Sequence, residues 1–257
     1  MKVQGKVAVI TGGVSGLGRG TANLLVKEGA KVVLFDMNEE LGAKAQAELG
    51  DSALFVKVNV TDEDSVKAGL KAAQDKFGGV HICVNCAGIA TAGKTLSKKG
   101  PLSLADFTRT INVNLIGTFN VMRLAAEVMA AQEPVGDDSE RGVIINTASV
   151  AALEAQVGQL AYGASKGGVL AMTLPAARDL APNGIRVMCI APGIIMTPML
   201  ANDVSDEARA GLIANVQFPK RLGEATDYAT LVRDIVQNGY LNGEVIRLDG
   251  ALRMPPR

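Results

Sequence analysis

The sequence predicts one α/β domain spanning residues 1–257, a doubly wound parallel sheet with helices on both faces. Three observations carry this expectation. Short apolar runs alternate with helical stretches along the whole chain, which is how strands and crossover helices follow one another in a parallel sheet. The runs are apolar on successive residues, as strands buried on both sides require. The first run also breaks into a glycine-rich turn that opens a helix, letting backbone approach a phosphate group at the helix N-terminus.

The elements follow in order. Lys6–Ile10 reads as a strand, Thr11-Gly-Gly-Val-Ser-Gly-Leu-Gly18 as the turn, and the helix it opens runs to Gly29. A second strand, Lys31–Asp36, ends in a carboxylate about 20 residues after the glycines, where a ribose 2′-hydroxyl would be held. Strand Ala53–Val60 and a helix from Asp62 capped by Thr61 come next, then strand Val80–Val84 and helices Ala105–Ile111 and Leu115–Ala131. Strand Val143–Asn146, helix Val157–Leu180, strand Ile185–Ala191, helix Thr226–Gln237 and strand Glu244–Leu248 complete the alternation. Ala92–Leu104 and Gln132–Arg141 read as surface excursions, and there is no linker, repeat or low-complexity segment.

Composition narrows the function. The chain is 48% hydrophobic and 20% charged, enough to bury a large core. Lys plus Arg and Asp plus Glu each number 26, so no net field recruits nucleic acid or an anionic membrane. The first apolar run is too short for a signal peptide or membrane span. Three cysteines, an odd number in a long chain, point to free thiols and a cytoplasmic location.

The stretch from Ser149 to Lys166 carries the chemistry. Tyr162 and Lys166 stand one helical turn apart, so phenol and ammonium share a face. The ammonium favours the phenolate, which suits the phenol to proton transfer near neutrality. Ser149, just past a strand, offers a hydroxyl to a substrate oxygen.

Three other patterns compete and fail. Gly88–Thr95 matches a phosphate-binding loop of nucleotide hydrolases, but Gly100-Pro101 breaks the helix that must follow, and no later strand ends in a magnesium-binding Asp. Gly163-Ala-Ser165-Lys-Gly167 matches a hydrolase elbow, yet that fold needs a downstream histidine and the only one is His81, upstream. Cys83 and Cys86 would point to opposite faces of a strand, roughly 10 Å apart, and His81 lacks partners for a metal site, so no metal is expected.

Together these residues resemble the short-chain dehydrogenase/reductase family over essentially the whole chain. The resemblance rests on Thr11-Gly12-x-x-x-Gly16-x-Gly18, Asn85-Cys86-Ala87-Gly88, the set Asn114, Ser149, Tyr162 and Lys166, and Pro192-Gly-Ile-Ile-Met-Thr197. It implies a Rossmann-type fold and hydride transfer with NAD. Tyr162 would be the acid/base, Lys166 would support it and hold the nicotinamide ribose, Ser149 would bind the substrate oxygen, and Asn114 would order a relay water. Cofactor contacts would come from Gly12, Ser15, Gly16, Leu17, Gly18, Asp36, Asn59, Val60, Cys86, Tyr162, Lys166, Ile195 and Thr197. Asp36, with Ser15 and Met37 supplying no cation, implies NAD over NADP. Asn59 stands where the family usually has Asp to receive the adenine amino group, though its amide oxygen can still accept. Cys86 replaces the commoner second Asn.

Within the family, Arg141–Ala152, Ala177–Met188 and Leu241–Gly250 are most like members acting on short or 2-methyl-branched 3-hydroxyacyl-CoA. The resemblance therefore implies an acyl-CoA substrate met by Ser149, Gln159 and the lysines of the 92–104 excursion, Lys94, Lys98 and Lys99. A steroid or other secondary alcohol would use the same catalytic set. A noncatalytic scaffold would lack Tyr162 or Lys166, and neither is lost. A homotetramer is also implied, through helices Leu115–Ala131 and Val157–Leu180, with Ala161, Gly167 and Gly168 permitting close approach.

Overall fold

The computed structural model describes residues 1–135, 138–197 and 206–256; part of the 132–141 excursion, residues 136–137, therefore lies outside the described residues. The strands are β1 (Val7–Thr11), β2 (Lys31–Asp36), β3 (Ala53–Lys57), β4 (Ile82–Asn85), β7 (Gly142–Thr147), β8 (Ile185–Pro192) and β9 (Val245–Leu248). They form one sheet in the order β3-β2-β1-β4-β7-β8-β9, with every pairing parallel. The numbering runs outward in opposite directions from β1 and β4. Such a reversal leaves a crevice at the carboxyl ends of those two strands.

The apolar runs split cleanly between the two faces. Ala8, Ile10, Val32, Leu34, Ile82, Val84, Val143 and Ile145 join one core; Val7, Val9, Val33, Phe35, Cys83 and Ile144 join the other. Successive strand side chains point to opposite faces, so a run apolar at every position serves both. Helices α1 (Gly16–Lys27) and α9 (Ala225–Gln237) cover the first face through Leu25, Tyr228 and Ile235. Helices α3 (Glu63–Phe77) and α5 (Gly117–Ala130) cover the second through Leu70, Val121 and Met129. Burying each such side chain contributes about 1.5–3 kcal/mol.

The boundaries differ from the sequence expectation for identifiable reasons. Helix α3 is capped by Asp62, whose side chain accepts from Ser65 N, rather than by Thr61. Helix α4 (Leu104–Ile111) runs into α5 without a break, through a π-helical turn at Asn112–Ile116. The long helix expected from Val157 begins at Leu160 as α7 (Leu160–Leu180), because Gly158 takes φ +93°; a separate short helix, α6 (Ala151–Glu154), precedes it. Helix α2 (Glu39–Leu49) links β2 to β3. Helix α8 (Asp206–Asn215) has no counterpart in the sequence reading, and the excursion at 92–104 folds into a small antiparallel hairpin, β5 (Leu96–Ser97) with β6 (Gly100–Pro101). Of the three small residues read as an interface, Ala161 is buried in its own chain and a Cβ on Gly168 would lie 2.7 Å from Leu115, while Gly167 stays open.

Away from the crevice, a buried ionic cluster closes the edge of the sheet. Arg186 on β8 is 7% exposed and donates to Glu140 Oε1 at 2.8 Å and to the main-chain oxygens of Ile235, Val236 and Leu241. Glu140 also accepts from the Met1 ammonium at 2.9 Å. Removing one member of such a set strands the others in low dielectric. Arg186→Met is therefore expected to lose about 3–5 kcal/mol in urea unfolding, against a surface Arg→Met control that changes little. An unfolding midpoint unchanged from wild type would refute the assignment.

Candidate active site

A cavity of about 590 Å³ fills the crevice. Its two charged lining residues among the described residues, Asp36 and Lys166, come from strand β2 and helix α7.

The cofactor half begins with a turn of tightly packed backbone. Gly12 turns the chain out of β1 with φ +62°, and a Cβ there would lie 3.1 Å from Ala87 N. On Gly18 a Cβ would meet the Gly12 carbonyl at 2.3 Å, so only glycine lets α1 approach the turn. Ser15 caps α1 without any side-chain hydrogen bond, leaving the first N–H groups of the helix for an anion. Thr11 Oγ1 accepts from Ala87 N at 3.0 Å, tying β1 to the Asn85–Gly88 stretch. Asp36 closes β2 with Oδ1 accepting from Asn38 N at 3.1 Å.

Asn59, Val60, Leu17, Cys86, Ile195 and Thr197 also line the cavity. Asn59 needs one correction. Its amide oxygen already accepts from both the N and Oγ1 of Thr61, at 3.1 and 2.8 Å, so both lone pairs are used. The side chain thus turns its NH₂ group outward, where an acceptor had been expected.

The reacting end is gathered from three elements. Ser149 lies just past β7, with Oγ accepting from Ala151 N at 3.1 Å and its own proton left to donate. Tyr162 and Lys166 sit on α7, with Lys166 Nζ 5.9 Å from the centre of the Tyr162 ring. Lys166 is only 4% exposed, and its ammonium donates to the Thr147 carbonyl at 2.7 Å. A Cβ on Gly88 would sit 3.6 Å from Lys166 Nζ and 3.2 Å from Asn114 Oδ1, which shows how closely these groups converge. The Asn114 side chain is held through both its atoms: Oδ1 accepts from Ile89 N, and Nδ2 donates to Ile89 O and Ser165 Oγ. Its main-chain carbonyl accepts from Thr118 Oγ1 at 2.7 Å.

Lys94, Lys98 and Lys99 are exposed on and beside the β5–β6 hairpin, and neither they nor Gln159 line the cavity. Gln159 is half-buried, its Oε1 accepting from Gln156 N, and it bridges to Gly93 at the start of the lysine loop.

The competing patterns are accounted for. Ser165 is fully buried and donates to the Tyr162 carbonyl, so it is no nucleophile. His81 accepts from Val7 N at the amino ends of the strands, across the sheet from the crevice. Burial pushes the Cys83 thiol up to about 12, and Cys83 and Cys86 contact opposite cores. Burial likewise raises the Cys86 thiol. Among the described residues no group of His, Cys, Asp or Glu is placed to hold a metal, and no helix is long and apolar enough to cross a membrane.

Two contributors escaped the sequence reading. Thr147 supplies the carbonyl that holds Lys166, and its hydroxyl pairs at 2.7 Å with the buried Tyr228 of α9, which also meets Cys86 Sγ at 3.6 Å. Thr147 closes the strand that leads to Ser149, a signal that could have found it. Tyr228 is a lone aromatic on a helix and carries none.

The sequence pattern described as short chain dehydrogenase matches residues 6–208. The chain belongs to that family. The short chain dehydrogenases similar to it include 3-hydroxyacyl-CoA dehydrogenase type-2 of Bos taurus, 57% identical over 99% of this chain and 97% of that one. Ipsdienol dehydrogenase of Ips pini is 36% identical over 98% of this chain and 99% of that one. Among solved structures, the crystal structure of 3-hydroxyacyl-CoA dehydrogenase type-2 from Mycobacterium avium is 43% identical, covers 100% of both chains and superposes with a TM-score of 0.94.

Proposed function

We propose that this chain is an NAD-dependent oxidoreductase that interconverts 3-hydroxyacyl-CoA and 3-ketoacyl-CoA of short or 2-methyl-branched chain. The observation that carries the reading is the convergence of Ser149, Tyr162 and Lys166 at one end of a cavity whose other end is the glycine turn and Asp36. The likeness to 3-hydroxyacyl-CoA dehydrogenases over almost the full chain supports the choice of substrate.

The residues present fit a dinucleotide. Gly12 and Gly18 let the turn close on Ala87 and on α1, and the uncapped start of α1 offers N–H groups to the pyrophosphate. Asp36 would accept from adenosine ribose hydroxyls and repel a 2′-phosphate, and among the described residues no Lys or Arg lines that part of the cavity to reverse the preference. Bound NAD supplies the hydride acceptor at its nicotinamide ring. In the oxidation direction the Tyr162 oxygen takes the substrate hydroxyl proton, and the Ser149 hydroxyl donates to the oxygen that becomes the carbonyl. Lys166 spends one N–H on Thr147, leaving two for the nicotinamide ribose and the phenol oxygen. Asn114 would order a relay water.

Three further readings go with this one. Lys94, Lys98 and Lys99 would meet the CoA phosphates. Exposed Ile116 and Phe119 on the α4–α5 side, with Leu160 and Leu174 on α7, would be covered in a homotetramer. The free thiols Cys83, Cys86 and Cys189 suit the reducing cytoplasm.

Tests follow from each role. Wild-type protein should reduce acetoacetyl-CoA with NADH in preference to NADPH, and Tyr162→Phe should lose about 10²–10⁴-fold in kcat while still binding NADH. Near wild-type turnover in that variant, or equal use of NADPH, would overturn the assignment. Replacing the three lysines together by alanine should raise KM for the thioester, more at low salt, and leave a CoA-free alcohol or ketone unaffected. Equal effects on both substrates would take the hairpin out of the mechanism. Sedimentation at micromolar concentration should show a tetramer; a monomer alone would refute that assembly.

A further inference from the structure

The loop between Ser149 and Tyr162 is fastened from outside by the segment that follows β9, residues 252–256. Helix α6 ends this loop's first half at Glu154, whose carboxylate is the centre of the fastening. Glu154 Oε1 accepts from Arg247 Nη1 at 2.8 Å, and Oε2 accepts from Met254 N at 3.0 Å. Arg253 adds a longer, exposed contact to Oε1 at 3.3 Å. Two residues further on, Gln156 Nε2 donates to Pro255 O at 3.1 Å, and Val157 N donates to Pro256 O at 3.0 Å.

The strap is itself anchored. Arg247 on β9 uses Nε on Asp249 Oδ2 at 2.8 Å and Nη2 on the Leu252 carbonyl at 3.0 Å, while the Leu252 side chain is fully buried. One guanidinium therefore joins the sheet, the strap and the loop. A planar fork with five donors in fixed directions is suited to holding three acceptors at once.

Beyond the strap, the loop hands its position to the lysine excursion. Gly158 takes a left-handed φ of +93°, and its carbonyl accepts from Gly93 N at 2.7 Å. The hairpin with Lys94, Lys98 and Lys99 begins at that contact. Residues 150–161 themselves do not line the cavity; the loop reaches it through Ser149 and Tyr162 at its two ends.

We infer that Glu154 is a positioning residue for substrate specificity: through Arg247 and the 252–256 strap it sets where the Ser149–Tyr162 loop, and with it the 92–104 hairpin, meets the acyl-CoA. The inference rests on the acyl-CoA reading of the site for the choice of substrate. Its signature is a separation of effects, since the loop ends on Ser149 and Tyr162 and leads through Gly158 to the hairpin, while the glycine turn and Asp36 lie on other elements. Arg247, then the Met254 N–H and Arg253, holds the Glu154 carboxyl below the usual carboxylate range against the opposing effect of its burial. Its contribution is present above that range and lost only as pH falls beneath it, so the separation should be constant from about pH 6 to 9.

The test uses the whole protein with acetoacetyl-CoA and NADH. Glu154→Ala should raise KM for the thioester about tenfold, with the NADH dissociation constant within about twofold of wild type. Glu154→Gln, which keeps an acceptor for Met254 N but loses the ion pair, should fall between. An unchanged thioester KM, or a thioester KM and an NADH dissociation constant that rise together with a lowered Tm, would overturn the inference by showing a merely structural contact. If Glu154→Ala does not fold, Arg247→Lys, which keeps the charge and loses the fork, must give the same separation or the inference falls. Wild-type protein that leaves acetoacetyl-CoA untouched would instead refute the acyl-CoA reading, a result separate from any variant's behaviour.

Discussion

The site depends on a buried ammonium that must be satisfied. Lys166 is almost entirely removed from water, and an unpaired cation there would cost several kcal/mol. Its bond to the Thr147 carbonyl meets that demand and at the same time fixes helix α7 against the end of β7. Tyr162, one turn earlier on the same helix, inherits its position from this bond, and Ser149, two residues past Thr147, inherits its own from the same strand end. Three groups from two elements are thus located by one hydrogen bond. Behind it, Tyr228 holds the Thr147 hydroxyl, so the helix that covers one face of the sheet also supports the strand end that carries the ammonium.

The sheet explains why this end of the molecule is the one used. Where the strand order reverses at β1 and β4, the crossover helices leave in opposite directions and a cavity lies at the strand ends between them. The glycine turn, Asp36 and Asn85–Gly88 all stand at carboxyl ends of strands flanking that gap. His81, at the amino ends, is as far from the chemistry as the strand is long.

Much of this was legible in the chain itself. Runs such as Lys31–Asp36 declare strands buried on both faces, and a glycine turn between a strand and a helix declares where a phosphate can approach. Tyr162 and Lys166 were legible because helical periodicity puts them on one face. What was not legible depends on contacts between distant segments. The start of α7 at Leu160 follows from the left-handed Gly158 and the pairing of that turn with Gly93. The orientation of Asn59 follows from the hydrogens of Thr61, which take up its only oxygen and leave the amide nitrogen outward. Asn114 was found by its place in a pattern, but its side chain is consumed in joining Ile89 to Ser165, and the π-helical turn around it gives no signal in composition.

Part of the cofactor half of the crevice, at its glycines, is walled by main chain, and this shapes which changes the protein can tolerate there. Gly12 and Gly18 are held against backbone atoms, and a Cβ on Gly193 would lie 2.7 Å from Asp249. Backbone walls offer no side chain to trim or recolour, so variation there is restricted to added bulk, which the geometry forbids. The 150–161 loop and the hairpin lie outside the cavity beyond its other half, where one residue can be exchanged without moving the dinucleotide cradle. A lineage built on this scaffold can therefore drift from one alcohol to another while its redox partner stays the same.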